Sequence, residues 1–315
     1  MNRATQPATA VSRRRRAAAA AAVSGCALVV ASAAPAAAHG ADGGSDHGHG
    51  TSYVSLGDSY TSGPYIPTQV DANCARSDQN YPSLVAAARK VSAFKDVSCS
   101  GATTVEMWKA QGTNGPQLNA VRRGTDLVTV QIGGNDIGFS SIIGTCAQLS
   151  TTDLTGNPCQ RYFSSSGVDQ LAVRVLQTAP KVTKVLRAIH QRAPHARVVV
   201  VGYPDLLPDD GSGCFPSVPF AAKDFPYLRD TGKRLNLMLR LVAKLNGVQY
   251  VDTYGPTVGH DMCKSPADRW IEPLQPASPA APAHPNAKGE AAMAGAVLKG
   301  LDRHTGKPPA GHQGR

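Results

Sequence analysis

The sequence predicts an α/β protein, a parallel sheet covered by helices on both faces, and three observations carry that expectation. Strand-like and helix-like segments alternate from Tyr53 onward, the pattern of βαβ units. The run Arg197-Val-Val-Val-Val-Gly202 is continuously apolar, as a strand buried on both faces should be. Three strand-like runs end abruptly in small-residue turns that carry polar side chains, at Gly57-Asp58-Ser59, Ser100-Gly101 and Gly133-Gly134-Asn135.

Taken in order, Val54 and Leu56 mark the first strand, and Gly57-Asp58 stop it so that Ser59 sits at its carboxyl end. Tyr81 to Ala93 reads as a helix with Leu84, Val85, Ala88 and Val91 on one face. Asp96 to Cys99 reads as a short strand, followed by small and hydroxylated residues suited to a helix start. Asp126 to Ile132 is the clearest strand, with Leu127, Val128, Val130 and Ile132 leading into Gly133. A loop between Cys146 and Cys159 is expected next, then a helix over 168–191 that Pro180 would break. After the strand at 197–202 come a helix over 227–245, a fifth strand over 248–254 and a last helix over 286–301.

The ends read differently. Arg13 to Arg16, the apolar stretch Ala17 to Ala34 and Ala36-Ala37-Ala38 form the three zones of an export signal. Ser12-Arg13-Arg14 is a variant reading as a twin-arginine signal, and Val23-Ser24-Gly25-Cys26 one as a lipobox with a lipidated Cys26. The apolar run continues past Cys26 through Leu28-Val29-Val30, which favours plain secretion. Residues 39–50 are a Gly/His-rich linker, 51–303 the folded domain and 304–315 a polar tail.

Setting aside five signal arginines leaves 27 basic against 22 acidic residues, so the net charge falls from +10 to +5. No dense basic patch interleaves with aromatics, which excludes nucleic acid as the expected partner. Beyond the signal remain Cys74, Cys99, Cys146, Cys159, Cys214 and Cys263. In an exported chain an even set implies disulfides, and about 15 pairings are open for six cysteines. No C-x2-C pair points to zinc.

Turns at the carboxyl ends of parallel strands converge on one crevice. A serine there needs donors aimed at the oxyanion of acyl transfer, and the Ser59 amide, the Gly101 amide and the Asn135 side chain are suitable. Taken singly, Ser59 reads equally as a surface turn, Gly101 as a turn glycine and Asn135 as a helix cap. The serine also needs a base. His39, His47, His49, His304 and His312 lie in the tails, His190 and His195 border a helix end, and His260 lies in a loop near Cys263. His284 differs, because His284-Pro285-Asn286 precedes a helix, with Pro285 suited to its first position and the helix dipole favouring a neutral imidazole. Asp58 and Asp136 are expected to hold their turns through main-chain hydrogen bonds.

Together, Gly57-Asp58-Ser59-Tyr60, Gly101, Gly133-Gly134-Asn135-Asp136 and His284 resemble the SGNH (GDSL-type) hydrolase family in order and spacing. Six cysteines, the export signal and Trp270-Ile-Glu-Pro-Leu274 resemble its secreted bacterial esterase, lipase and phospholipase branch. The resemblance implies a flavodoxin-like three-layer α/β/α sandwich with a five-stranded parallel sheet in the order 2-1-3-4-5. It implies Ser59 as nucleophile, His284 as base, and Ser59, Gly101 and Asn135 as oxyanion hole. It also implies the disulfides Cys74–Cys99, Cys146–Cys159 and Cys214–Cys263, and no metal or organic cofactor. Most members place an aspartate three residues before the histidine, where this chain has Ala281. The expected orienting group is therefore the main-chain carbonyl of Ala281 or Pro282, with Asp252, Asp261, Asp268 and Glu272 as alternatives.

The expected activity is hydrolysis of acyl esters through an acyl-serine, by a monomer that meets lipid surfaces transiently. An acetyl-carbohydrate esterase is the nearest alternative, although aromatics at 5% give no sign of a sugar platform. A non-catalytic secreted binding module on the same fold is the alternative from another class, against which the intact residue set argues.

Overall fold

The computed structural model describes residues 50–303. The export signal with Cys26, the Gly/His-rich segment up to His49 and the tail from His304 lie outside the described residues. The chain forms β1 (Ser52–Gly57), a small antiparallel ladder of β2 (Gln69–Asp71) and β3 (Arg76–Ser77), then β4 (Ala93–Asp96), β5 (Leu127–Gln131), β6 (Arg197–Val201) and β7 (Gln249–Val251). Apart from the ladder, the strands pair in parallel in the order β4-β1-β5-β6-β7. Counting sheet strands alone, that is the 2-1-3-4-5 order of a flavodoxin-like sheet.

Successive strand side chains point to opposite faces, and β6 shows how the sheet feeds two cores. Val198 and Val200 join the core beneath α5 (Gln170–Arg192) and α6 (Asp224–Leu245), whereas Val199 and Val201 join the one beneath α2 (Tyr81–Arg89) and α8 (Ala287–Asp302). Each such buried valine contributes about 1.5–3 kcal/mol, which is why this run reads as apolar throughout. The remaining helices are α1 (Ser59–Ser62), α3 (Phe139–Ser150), α4 (Pro158–Phe163) and α7 (Tyr254–Thr257).

The structure corrects several boundaries. The second sheet strand lies at 93–96 rather than 96–99. It is an edge strand whose first residues are exposed, so hydrophobicity does not mark it. Val97 and Cys99 do run on beside β1, through Val97 N–H to the Ser55 carbonyl (3.0 Å) and Cys99 N–H to the Gly57 carbonyl (3.1 Å). Helix α2 stops at Arg89, where Lys90 turns left-handed (φ 48°) and its N–H caps Ala86 and Ala87. The expected loop between Cys146 and Cys159 is mostly helical, built by α3 and α4. Helix α5 passes through Pro180 without breaking. At the last helix, Asn286 is the cap, its side chain accepting from Lys288 and Gly289 N–H, so Pro285 precedes the helix instead of opening it.

The cysteines pair as Cys74–Cys99, Cys146–Cys159 and Cys214–Cys263. The first joins the loop after β1 to the residue two before Gly101, and the third joins the loops after β6 and β7. Both therefore staple loops at the carboxyl edge of the sheet. In the chain-entropy picture each such closure contributes about 3–4 kcal/mol.

Candidate active site

Strand β1 delivers Ser59 through a turn held from several directions. Gly57 has to be glycine, since a Cβ would collide with Thr61 Oγ1 and with the Gln131 carbonyl. Gln117 grips it from both sides: Gly57 N–H donates to Oε1 (2.8 Å) and Nε2 donates to the Gly57 carbonyl (2.9 Å). Asp58 caps α1, with Oδ1 accepting the Tyr60 N–H at 3.0 Å. Its Oδ2 accepts the Tyr203 hydroxyl at 2.5 Å, and that same hydroxyl accepts the Gly134 N–H at 2.9 Å. Tyr203 thus links the Gly57 and Gly133 turns. Burial pushes the Asp58 carboxyl up to about 7, opposed by the hydrogen bonds from Tyr203 and Tyr60.

Ser59 opens α1 and is 5% exposed. Its Oγ lies 2.7 Å from His284 Nε2, although 225 residues separate them. The other ring nitrogen, Nδ1, lies 2.8 Å from the Pro282 carbonyl. A carbonyl only accepts, so Nδ1 carries the hydrogen and Nε2 presents its lone pair to the serine hydroxyl. The Ala281 carbonyl is engaged differently, accepting the His284 main-chain N–H at 3.2 Å.

None of the four alternative carboxylates bonds the His284 ring, whose partners are Pro282 and Ser59. Asp252 accepts from the Tyr254 and Gly255 amides, Asp261 from the Cys263 amide and Asp268 from the Ser265 hydroxyl. Glu272 accepts from Asn286 Nδ2 (2.8 Å) and the Ala277 and Ser278 amides, and pairs with Arg269 at 3.1 Å. Burial alone would raise its pKa; those hydrogen bonds and the Arg269 charge hold it below the usual range. Glu272 N–H also donates to the His284 carbonyl at 2.9 Å. It braces the histidine loop without touching the ring.

An orienter that sequence reasoning missed is Tyr60. Its ring stacks on the imidazole, centroids 4.7 Å apart, and its hydroxyl donates to the Ala283 carbonyl at 2.6 Å. Ala283 is left-handed (φ 60°), a conformation that costs a non-glycine residue energy and is held here by that bond. Phe139 packs edge-on against the same imidazole at 5.8 Å. The only sequence signals were adjacency: Tyr60 follows Ser59, and Tyr203 follows the apolar strand and Gly202.

The imidazole is deeply buried, and burial lowers its pKa from 6.5 to about 4, opposed by the Pro282 hydrogen bond. Desolvation therefore favours the neutral ring at ordinary pH, the same direction as the helix dipole expected from the sequence. A neutral imidazole in contact with a hydroxyl can accept its proton.

The two remaining turns are joined to each other by hydrogen bonds. Gly101 adopts φ 80°, and a Cβ there would meet nothing closer than 3.7 Å, so it is the backbone angle that requires glycine. Asn135 Nδ2 donates to the Ala102 carbonyl at 3.0 Å, which joins the two turns and uses one of two N–H groups. Asp136 holds them further, accepting Thr104 N–H (2.9 Å) and Thr104 Oγ1 (2.6 Å). The Ser59 amide, first in its helix, has no intrahelical acceptor.

A cavity of about 80 Å³ adjoins this cluster, its wall including Tyr60 and Phe139 together with Ile142, Leu207, Leu235 and Met262. Among the described residues no cluster of three or more His, Cys, Asp or Glu side chains could hold a metal ion, and no helix is long and apolar enough to cross a membrane.

Comparison with known proteins points one way. Residues 55–292 match the profile of the GDSL-like Lipase/Acylhydrolase family. The chain is 40% identical to Lipase 2 of Streptomyces coelicolor over 260 residues, covering 79% of this chain and 86% of that protein. It superposes on the crystal structure of phospholipase A1 from Streptomyces albidoflavus with a TM-score of 0.66 at 28% identity, covering 81% of this chain and 99% of that one. With the extracellular lipase of Streptomyces rimosus the TM-score is 0.65 at 30% identity, over 80% and 99% of the two chains.

Proposed function

This chain belongs to the GDSL-like lipase/acylhydrolase family and is a carboxylic ester hydrolase, and we propose that it cleaves acyl esters through an acyl-Ser59 intermediate with His284 as general base. The observation that carries this reading is the 2.7 Å contact between Ser59 Oγ and His284 Nε2, with Nδ1 engaged by the Pro282 carbonyl. In the first half-reaction Nε2 takes the hydroxyl proton as Oγ attacks the ester carbon. The developing oxyanion is received by the Ser59 and Gly101 amides and the free N–H of Asn135. His284 then gives its proton to the departing alkoxide, and water enters by the reverse sequence.

The Ser59–His284 pair works here without a carboxylate. Pro282 fixes the tautomer and Tyr60 the ring plane, the orienting part of what an acid would do. Asp252→Ala, Asp261→Ala, Asp268→Ala and Glu272→Gln, the last chosen to keep the side chain's shape and one of its two acceptor oxygens, are therefore each expected to leave kcat within about threefold. A thousandfold loss at one of them would identify a third triad member.

The pH profile follows from the buried imidazole. Only its neutral form accepts the serine proton, so kcat/KM should hold as pH falls from neutrality and drop through a midpoint near 4. A midpoint near 6.5, the ordinary histidine value, would place the titrating base elsewhere.

The apolar cavity beside His284 favours an acyl chain over a sugar, in keeping with the relatives' names. The substrate is a small-molecule or lipid ester, met by a secreted monomer in transient contact with lipid surfaces, with residues 1–38 as export signal, 39–50 as linker, 51–303 as hydrolase domain and 304–315 as tail. A fluorophosphonate should label Ser59 and no other residue; absence of that adduct overturns the reading. Hydrolysis rates on p-nitrophenyl esters of increasing chain length, phosphatidylcholine and acetylated xylan then rank the substrates, with the xylan expected last.

A further inference from the structure

The cavity beside His284 holds one group that neither the catalytic reading nor the packing explains. Asp205 lines it, follows Tyr203-Pro204 after β6, and is fully buried. Its main-chain N–H donates to Thr257 Oγ1 at 2.8 Å, which fixes the backbone. Neither carboxyl oxygen has a hydrogen-bond partner in the protein. The cations nearby are committed: Lys233 pairs with Asp209 at 2.6 Å, and Arg229 bonds the Asp209 carbonyl and the Asp230 carboxylate. The Tyr254 hydroxyl donates to Asp209 as well, at 2.7 Å. Burial pushes the Asp205 carboxyl up to about 7, opposed by the nearby Tyr254 hydroxyl, whose one hydrogen is directed at Asp209, and reinforced by the charges of Asp261 and Asp209.

A buried acceptor without a partner is costly, and a protein interior normally satisfies one. Here much of the surrounding wall is apolar, formed by Ile142, Leu206, Leu228, Leu235 and Met262, and its side-chain donors are spent elsewhere, Thr231 on the Tyr227 carbonyl, Asn236 on the Tyr203 carbonyl and Tyr254 on Asp209. A ligand that fits must bring apolar surface for most of its length and a donor at one point. The donor should be uncharged, because Arg229 shares the wall and would repel a cation, whereas a hydroxyl pairs with a carboxyl in either protonation state. The position of Tyr60 and Phe139, which touch both the imidazole and the cavity, ties this volume to the acyl side of a reacting ester.

We propose that the cavity receives the acyl chain of the substrate and that Asp205 hydrogen-bonds a hydroxyl carried on that chain, making esters of hydroxylated fatty acids the preferred substrates. The inference rests on the ester-hydrolase reading of Ser59 and His284. It adds the selecting residue and the substrate class. A plain chain would bury against Asp205 and leave its oxygens unpaired, and discrimination of this kind, a site polar group left without its partner, exceeds that available from a methylene.

The test is a comparison of matched p-nitrophenyl esters, plain and ω-hydroxylated, at each chain length from C4 to C12. The wild-type enzyme should favour the hydroxylated ester by at least about tenfold in kcat/KM at one or more lengths. Asp205→Leu should abolish or invert that ratio, and Asp205→Asn, which keeps an acceptor and the shape, should retain part of it. Because each ratio compares two esters on one preparation, loss of folded enzyme cancels. Equal rates for the pair at every length, or a preference that survives Asp205→Leu, overturn the proposal and make Asp205 a hydration site. If the wild type cleaves none of these esters and takes no fluorophosphonate, the ester-hydrolase reading itself has failed. Cleavage without hydroxyl preference sinks only the present inference.

Discussion

Ser59→Ala and His284→Ala are each expected to lower kcat by about 10⁵–10⁶-fold, and the double variant to be scarcely worse than either. The reason is that the two groups act as one unit: the hydroxyl is a weak nucleophile until Nε2, 2.7 Å away, takes its proton. Neither side chain carries the fold. Ser59 Oγ bonds only the imidazole, and the loop holding His284 is anchored by Glu272, Asn286 and Tyr60 through the main chain. Thermal midpoints should accordingly stay close to the wild type. A His284→Ala enzyme retaining more than about a hundredth of wild-type kcat would contradict the proposed base, as would additive losses in the double variant.

Asn135→Ala should lower kcat by about 10²–10³-fold while KM changes little, because a side-chain donor to the oxyanion acts in the transition state far more than in the ground state. The alternative role is structural, since one N–H of the amide already joins the Ala102 carbonyl at 3.0 Å. The two roles separate experimentally. If Asn135 only tethers the turns, the variant loses stability, and kcat per folded molecule stays near the wild-type value. If it donates to the oxyanion, kcat falls in a protein whose unfolding curve moves by the roughly 1 kcal/mol of one hydrogen bond.

How far the sequence reached depends on what each residue had to do locally. Ser59 was legible because a strand that ends in Gly-Asp must deliver its next residue at the sheet's carboxyl edge. The continuous valines of β6 gave a strand buried on both faces, and the structure places Val198/Val200 and Val199/Val201 in separate cores. The edge strand β4 was misplaced because Ala93 to Lys95 are exposed and Phe94 is the single large apolar residue among them, too little to make a strand pattern. Pro180 was over-read for a related reason: its local preference against a helix interior is outweighed by the packed face of α5, with Val175, Val182 and Leu186 buried around it.

Tertiary structure alone decided the group that orients His284. From the sequence, two carbonyls and four carboxylates were all available, and only the folded loop gives Pro282 to the ring and Ala281 to the backbone. Tyr60, Tyr203 and Gln117 were invisible for the same reason, since each acts on a partner at least 60 residues away. The sequence by itself determined the class of fold, the residue types at the turns and the family, because strand period, glycine geometry and motif order are properties of neighbours along the chain. The direction of a lone pair, the pKa of the imidazole and the shape of the cavity depend on contacts between segments that meet only when the sheet closes, and no local pattern records them.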